Sequence, residues 1–158
     1  MRTTDRIGCE YAIITASLHL AQNGKLMISD NNLVYLNIDD EYIHRLFPLL
    51  QNQQIKKPDY FTDEKPVGAH ITAIYPEENR KIRKEELDQE HVFTVKDIVT
   101  AEIDTKTYYA ILVDSSSLLQ LRRRHGLSDM LCFKGYSIGF HITIGIMLNH
   151  NGPKNLDN

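Results

Sequence analysis

Apolar residues in this chain come in short runs of strand length, broken by polar, charged or proline-containing stretches. Residues 33–38 (Leu-Val-Tyr-Leu-Asn-Ile) are rich in branched and aromatic side chains and predict a strand. Asp39 or Asp40 can then cap a helix whose Ile43, Leu46, Phe47 and Leu50 form one apolar stripe, with Pro48 ending or kinking it. The polar stretch 51–66, with prolines at 58 and 66, reads as a loop leading to an apolar run at 68–74. Residues 92–95, 98–103 and 108–113 predict three successive strands, with Asp97 and Asp104-Thr105-Lys106 as turns. Ser115 and its neighbours offer N-caps for a helix bearing Leu118, Leu119 and Leu121, closed at His125-Gly126. Residues 128–137 read as a loop into a second apolar run at 139–146. Near the N-terminus, residues 11–20 suit a strand or a short helix; Asn23-Gly24 is a hairpin signal and 25–29 a return strand, which favours a hairpin. Beyond His150 the Asn/Gly/Pro-rich tail, 151–158, is expected to be disordered.

Two of these runs share a phrase. Gly68-Ala69-His70-Ile71-Thr72 and Gly139-Phe140-His141-Ile142-Thr143 both read Gly-x-His-Ile-Thr. Residues i and i+2 of a strand leave on one face, so each His and Thr point the same way, while Ile142, Ile144 and Ile146 should anchor the opposite face with Phe140. One His-x-Thr is weak; two in matched frames, each preceded by strands, a helix and a polar loop, outline an internal duplication.

Composition adds limits rather than direction. At 158 residues, 42% hydrophobic and 25% charged, the chain is one globular domain by length, and a net charge of -3 gives no global pull toward nucleic acid or an anionic membrane. No apolar run reaches membrane-spanning length and the first residues lack the apolar core of a secretion signal, so the cytoplasm is the expected location. Cys9 and Cys132 are far apart and outside any ligand pattern; both are expected as free thiols, Cys132 semi-buried. The mixed charges of 77–90 read as a solvated face, and Arg122-Arg123-Arg124 as cations complementing a helix C-terminus at least as readily as a phosphate site. His19 reads as a surface residue.

If the two motif strands line one cleft, two imidazoles and two hydroxyls converge. A histidine pair can divide proton acceptance and donation near neutral pH, which phosphodiester cleavage requires on opposite sides of phosphorus. The Thr hydroxyls can donate to non-bridging oxygens. A metal site would want His or carboxylate ligands at closer spacing, and no Asp or Glu lies within four residues of either motif. Which histidine is acid and which base stays open.

With these paired motifs the sequence resembles the two-histidine (2H) phosphoesterase superfamily, which includes RNA 2',3'-cyclic phosphodiesterases and LigT-like enzymes. The likeness spans roughly residues 33–148. It implies an α+β bilobal fold in which two mainly antiparallel sheets line a central cleft with helices outside. Residues 1–150 would form one bilobal catalytic domain, with 1–30 a possible extra hairpin outside the family pattern. It also implies a metal-independent phosphoric diester hydrolase without cofactors, His70 and His141 as acid and base, and Thr72 and Thr143 as phosphate ligands. Expected partners are RNA termini, oligonucleotides or small cyclic nucleotides, with no membrane and no obligatory protein partner. Tyr75, Lys134 and Tyr136, near the motifs in sequence, are the candidates for holding a base. The expected reaction is hydrolysis of 2',3'-cyclic phosphate or 2'-5' linkages. The alternatives are a hydrolase of cyclic oligonucleotide signals and a non-catalytic nucleotide-binding module.

Overall fold

In the computed structural model, residues 9–59, 67–79 and 81–149 are described. The first half runs α1 (Glu10–Ser17), β1 (Asn23–Ile28), β2 (Val34–Asn37), α2 (Glu41–His44) and β3 (His70–Ile74). The second runs β4 (Glu90–Val92), β5 (Thr94–Ile103), β6 (Lys106–Asp114), α3 (Ser116–Arg124), β7 (Leu131–Phe133), β8 (Tyr136–Ile138) and β9 (His141–Leu148). All pairings are antiparallel, in sheets ordered β3-β2-β1-β4 and β5-β6-β9, with β7-β8 a separate hairpin. The expected α+β architecture of two antiparallel sheets is therefore what the chain adopts.

The duplication outlined by the motifs extends to topology. In each half a strand pairs with its successor, a helix follows, and the motif strand returns beside the second strand: β1-β2-β3 repeats as β5-β6-β9. The motif strand thus ends at a sheet edge in both halves, and β3 and β9 lie against one another. The helices interlock the lobes. α1 packs on β5 of the other sheet, and α3 packs on β3 and β4. One continuous core results, in which Leu26, Leu36 and Ile71 join Ile98, Ile111 and Ile142; Phe140 and Ile144 are buried with it as expected.

Four local expectations need correction. The N-terminal hairpin is instead a helix followed by an inner strand: Ile13 and Ser17, one turn apart, face inward from α1, and β1 is paired on both sides. Gly24 sits within β1, where any Cβ would collide with the Asn37 carbonyl, so this glycine serves close strand approach rather than a turn. The stripe 43–50 is one turn of α2 followed by a 3-10 turn, Phe47–Leu50, because Pro48 interrupts the helical hydrogen bonds. The strands expected at 92–95 and 98–103 become short β4 and long β5, with Asp97 at a register irregularity instead of a turn. Finally, 128–137 contains the β7-β8 hairpin, whose two-residue turn has positive φ at both Lys134 and Gly135. Cys132 is exposed on it. The tail expected to be disordered, 151–158, lies outside the described residues. No helix among those described is long and apolar enough to cross a membrane.

Candidate active site

A cleft of about 390 Å³ opens where the two motif strands meet. His70 and Thr72 from β3 and His141 and Thr143 from β9 all line it. The strands deliver them identically. In β3 the pairing with β2 slips by one after Thr72, leaving Ala73 unpaired; in β9 the pairing with β6 slips after Thr143, leaving Ile144 unpaired. Such a bulge re-aims the side chains beyond it. The residue three after each Thr, Tyr75 in one half and Ile146 in the other, consequently lines the cleft too. Ile146 was expected on the core face with Ile142 and Ile144; the bulge moves it across.

Each imidazole is tethered the same way. His70 Nδ1 lies 2.8 Å from the Gly68 carbonyl oxygen and His141 Nδ1 lies 2.9 Å from that of Gly139. A carbonyl only accepts, so both Nδ1 atoms carry hydrogen and donate it, and each neutral ring is fixed with Nε2 as its basic nitrogen. The Tyr35 ring meets the His70 ring edge-on at 5.6 Å, which sets its plane. Burial pulls the His70 imidazole down to about 4; the Gly68 carbonyl works against this and the nearby His141 adds to it. Burial likewise lowers His141, partly offset by its bond to Gly139. Both rings are therefore neutral in the empty cleft at pH 7.

The frame glycines are not equivalent. Gly68 has φ +83°, and a Cβ there would lie 2.8 Å from Asp40 Oδ1, which accepts the Ala69 N–H at 2.9 Å. Gly139 has open space around its Cβ direction. Gly68→Ala is expected to destabilise the fold by about 1 kcal/mol or more and to shift the carbonyl that holds His70, whereas Gly139→Ala should leave stability within about 0.5 kcal/mol. Thermal melts of the two variants check this; equal losses would contradict it.

Tyr75 lines the cleft. Burial above all, then the Glu78 and Glu77 carboxylates, keep its phenol protonated, with the Thr72 side chain working against them. Its ring packs on Phe133 at 5.1 Å. Lys134 and Tyr136, the other candidates, do not line the cleft. The tight hairpin turn puts Lys134 at its tip, with Nζ 3.4 Å from Asp104 and 5.5 Å from the Phe133 ring centre. Tyr136 is 37% exposed, and the hairpin supplies Phe133 and Ile138 to the cleft instead.

Tyr35, Tyr108 and Asn31 were missed. Tyr108 sits opposite Ile146 and lines the cleft with Ala110. The alternation of 108 and 110, with a small residue in an otherwise bulky strand, was the available signal. Tyr35 and Asn31 had none, because their proximity depends on the β2-β3 pairing and a turn. Among the described residues no three His, Cys, Asp or Glu side chains gather as a metal ion would require.

Residues 34–151 match the family described as Swiss Army Knife, 2H phosphoesterase domain. Comparison with curated proteins and with solved structures finds no match. The matched range begins at β2, so β1, an inner strand of the first sheet, and α1 lie outside it. With that range covering well over half of the chain and containing both His-x-Thr strands, the protein belongs to the Swiss Army Knife family of 2H phosphoesterases.

Proposed function

We propose that the protein is a metal-independent phosphodiesterase that hydrolyses 2',3'-cyclic phosphate or 2'-5' linkages in RNA or small nucleotides. His70 and His141 act as the acid/base pair, and Thr72 and Thr143 bind the phosphate. The observation that supports this most is the matched tether of the two imidazoles: each has Nδ1 committed to a carbonyl and Nε2 as the titrating atom, on edge strands of different sheets lining one cleft.

In the reaction, Nε2 of the neutral histidine takes a proton from water as the water oxygen bonds to phosphorus. The bond from phosphorus to the departing ribose oxygen breaks as that oxygen takes the proton from Nε2 of the other, protonated ring. One water is consumed, the rings exchange protonation states, and solvent restores them. On a 2'-5' linkage a neighbouring ribose hydroxyl can replace water as the attacking group. The Thr hydroxyls donate to the non-bridging oxygens, where negative charge builds.

Because both imidazoles are lowered in the empty site, the singly protonated pair exists only on the acid side of 6.5. The kcat/KM profile, which follows the free enzyme, should be a bell with both limbs below pH 6.5, one of them near 4. A bound phosphodiester anion favours the imidazolium, so the kcat profile should be displaced to higher pH. A kcat/KM limb above pH 7 would contradict this assignment. The activity itself is tested by incubating the protein with nucleoside 2',3'-cyclic phosphates and 2'-5' dinucleotides and following products by chromatography, with and without EDTA. Turnover indifferent to EDTA is the expected result. A shift in melting temperature with no product would make the protein a binding module, and loss of turnover in EDTA would overturn metal independence.

A further inference from the structure

The two histidine tethers match at the ring but not behind it. The Gly68 carbonyl, which accepts the His70 Nδ1–H, and the Ala69 N–H belong to one peptide group, and that N–H donates to Asp40 Oδ1 at 2.9 Å. A carboxylate thus stands behind His70 with one planar peptide between them. Hydrogen bonding at a peptide N–H strengthens its carbonyl as an acceptor, the more so when the partner is charged. Asp40 is exposed, so this contact, rather than a field through solvent, ties it to the ring.

In the second half the equivalent peptide has no such partner. The Ile38 N–H donates to the Ala69 carbonyl at 3.3 Å and the Val113 N–H to the Phe140 carbonyl at 3.0 Å, which makes Ile38 and Val113 counterparts. Two residues on, Asp40 and Ser115 correspond, each the N-cap of the helix that follows. Ser115 does not reach back: its Oγ donates to the Val92 carbonyl at 2.8 Å and accepts the Leu118 N–H. The Phe140 N–H meets no acceptor among the described residues. Phe140 borders a cavity whose charged residues, Lys96, Asp114 and Asp129, are taken up in the pairs Lys96–Asp114 and Arg123–Asp129.

We propose, building on the phosphodiesterase reading, that Asp40 is a positioning residue acting through the Gly68–Ala69 peptide, and that it makes His70 the base and His141 the acid. The base gains positive charge as it takes the proton of water, and a carboxylate behind its Nδ1–H holds that charge. The acid loses its charge in the same step and needs no such support. The water oxygen bonds to phosphorus as its proton passes to His70 Nε2, and the ribose oxygen leaves with the proton of His141 Nε2. A charged His141 also opposes protonation of His70, which keeps the base free to accept. The other groups facing the rings do not single one out as base: Tyr75 and Tyr108 line the cleft, Lys106 lies two residues before Tyr108 on the same face of β6, and Tyr35 meets His70 by its ring edge.

The test uses uridine 2',3'-cyclic phosphate and its analogue with sulfur in place of the departing ribose oxygen, since a thiolate leaves without a proton. His141→Ala should lose about 10²–10⁴-fold in kcat on the first and less than about tenfold on the second, whereas His70→Ala should lose about 10²–10⁴-fold on both. Asp40→Asn keeps an oxygen for the Ala69 N–H and removes the charge. It should hold its melting temperature and lose about 10–100-fold in kcat on both substrates with KM within about twofold, the usual effect of a carboxylate behind a working histidine. In the substrate-free protein, ¹⁵N NMR should show the His70 titration moved to lower pH in Asp40→Asn and that of His141 in place, which loss of packing alone would not do. An Asp40→Asn protein with wild-type kcat and His70 titration overturns the role of Asp40. Recovery of His70→Ala rather than His141→Ala on the sulfur analogue overturns the assignment of base and acid, and in both cases the phosphodiesterase stands. No product from either substrate with the wild type overturns the phosphodiesterase as well.

Discussion

Replacing His70 or His141 with Ala is expected to lower kcat on a nucleoside 2',3'-cyclic phosphate by about 10²–10⁴-fold, with the double variant little worse than either single one because the pair acts as a unit. Thr72→Val and Thr143→Val, which remove one hydroxyl each and keep the shape, should cost about 10²–10³-fold in kcat with KM nearly unchanged. The folds should survive, since each ring sits at a cleft wall rather than in the core. A second readout separates a catalytic loss from a structural one. The folded-state imidazoles are depressed, so they contribute stability above the unfolded value of 6.5 that is lost as pH falls toward about 4 for His70. His70→Ala lacks that titration and should lose less melting temperature than the wild type across the same window. Turnover surviving in both single His variants would end the acid/base assignment.

How much of this was legible in the chain depended on whether the signal was local. The two Gly-x-His-Ile-Thr phrases, the 33–38 strand, and the Ser115 cap with its 3.3 Å bond from the Leu118 N–H are decided by residues a few positions apart, and they came through. The bulges were invisible, because an extra residue in a strand is defined only against its partner; hence Ile146 was assigned to the wrong face. Asn23-Gly24 misled for the same reason, its local turn preference yielding to β2 packed hard against it. The charge blocks at 77–90 looked solvated because alternating signs cancel, yet Glu78 and Glu86 turn inward to partners on α3 and just beyond it. Those pairings join residues some forty positions apart.

Arg122 is the clearest of these. Leu118, Leu121 and Arg122 recur at helical spacing, so the buried stripe of α3 was written in the sequence with a cation in it, but the neighbouring Arg123 and Arg124 disguised it as part of a basic run. Every donor of its guanidinium is used: Nε to the Ser128 carbonyl at 2.7 Å, Nη1 to the Ala73 carbonyl and Glu78 Oε1, Nη2 to Glu78 Oε2 and the Met130 carbonyl. Ala73 is the bulge residue directly after Thr72, whose carbonyl has no ladder partner; Arg122 supplies one. Glu78 in turn accepts the Tyr75 and Cys132 N–H groups, so one ion pair pins the end of β3, the helix and the β7-β8 hairpin together.

Arg122→Met is therefore expected to destabilise the protein by about 3–5 kcal/mol, the usual result of stripping one partner from a buried pair, and to reduce activity by releasing the strand that carries Thr72. Burial raises the Glu78 carboxyl, but Arg122 and the N–H donors outweigh it and hold it below the ordinary 4.5. The pair thus contributes stability above the unfolded carboxyl value that is lost as pH falls through the folded one, and the gap between wild type and Arg122→Met should shrink on acidification. Adding Glu78→Gln should recover much of the loss, because the orphaned charge goes with it. Arg123→Ala, which breaks only an exposed pair with Asp129, should hardly register. Urea denaturation of the wild type and the three variants at two pH values measures all of this; an Arg122→Met protein as stable as Arg123→Ala would mean that the bulge stands without its guanidinium clamp.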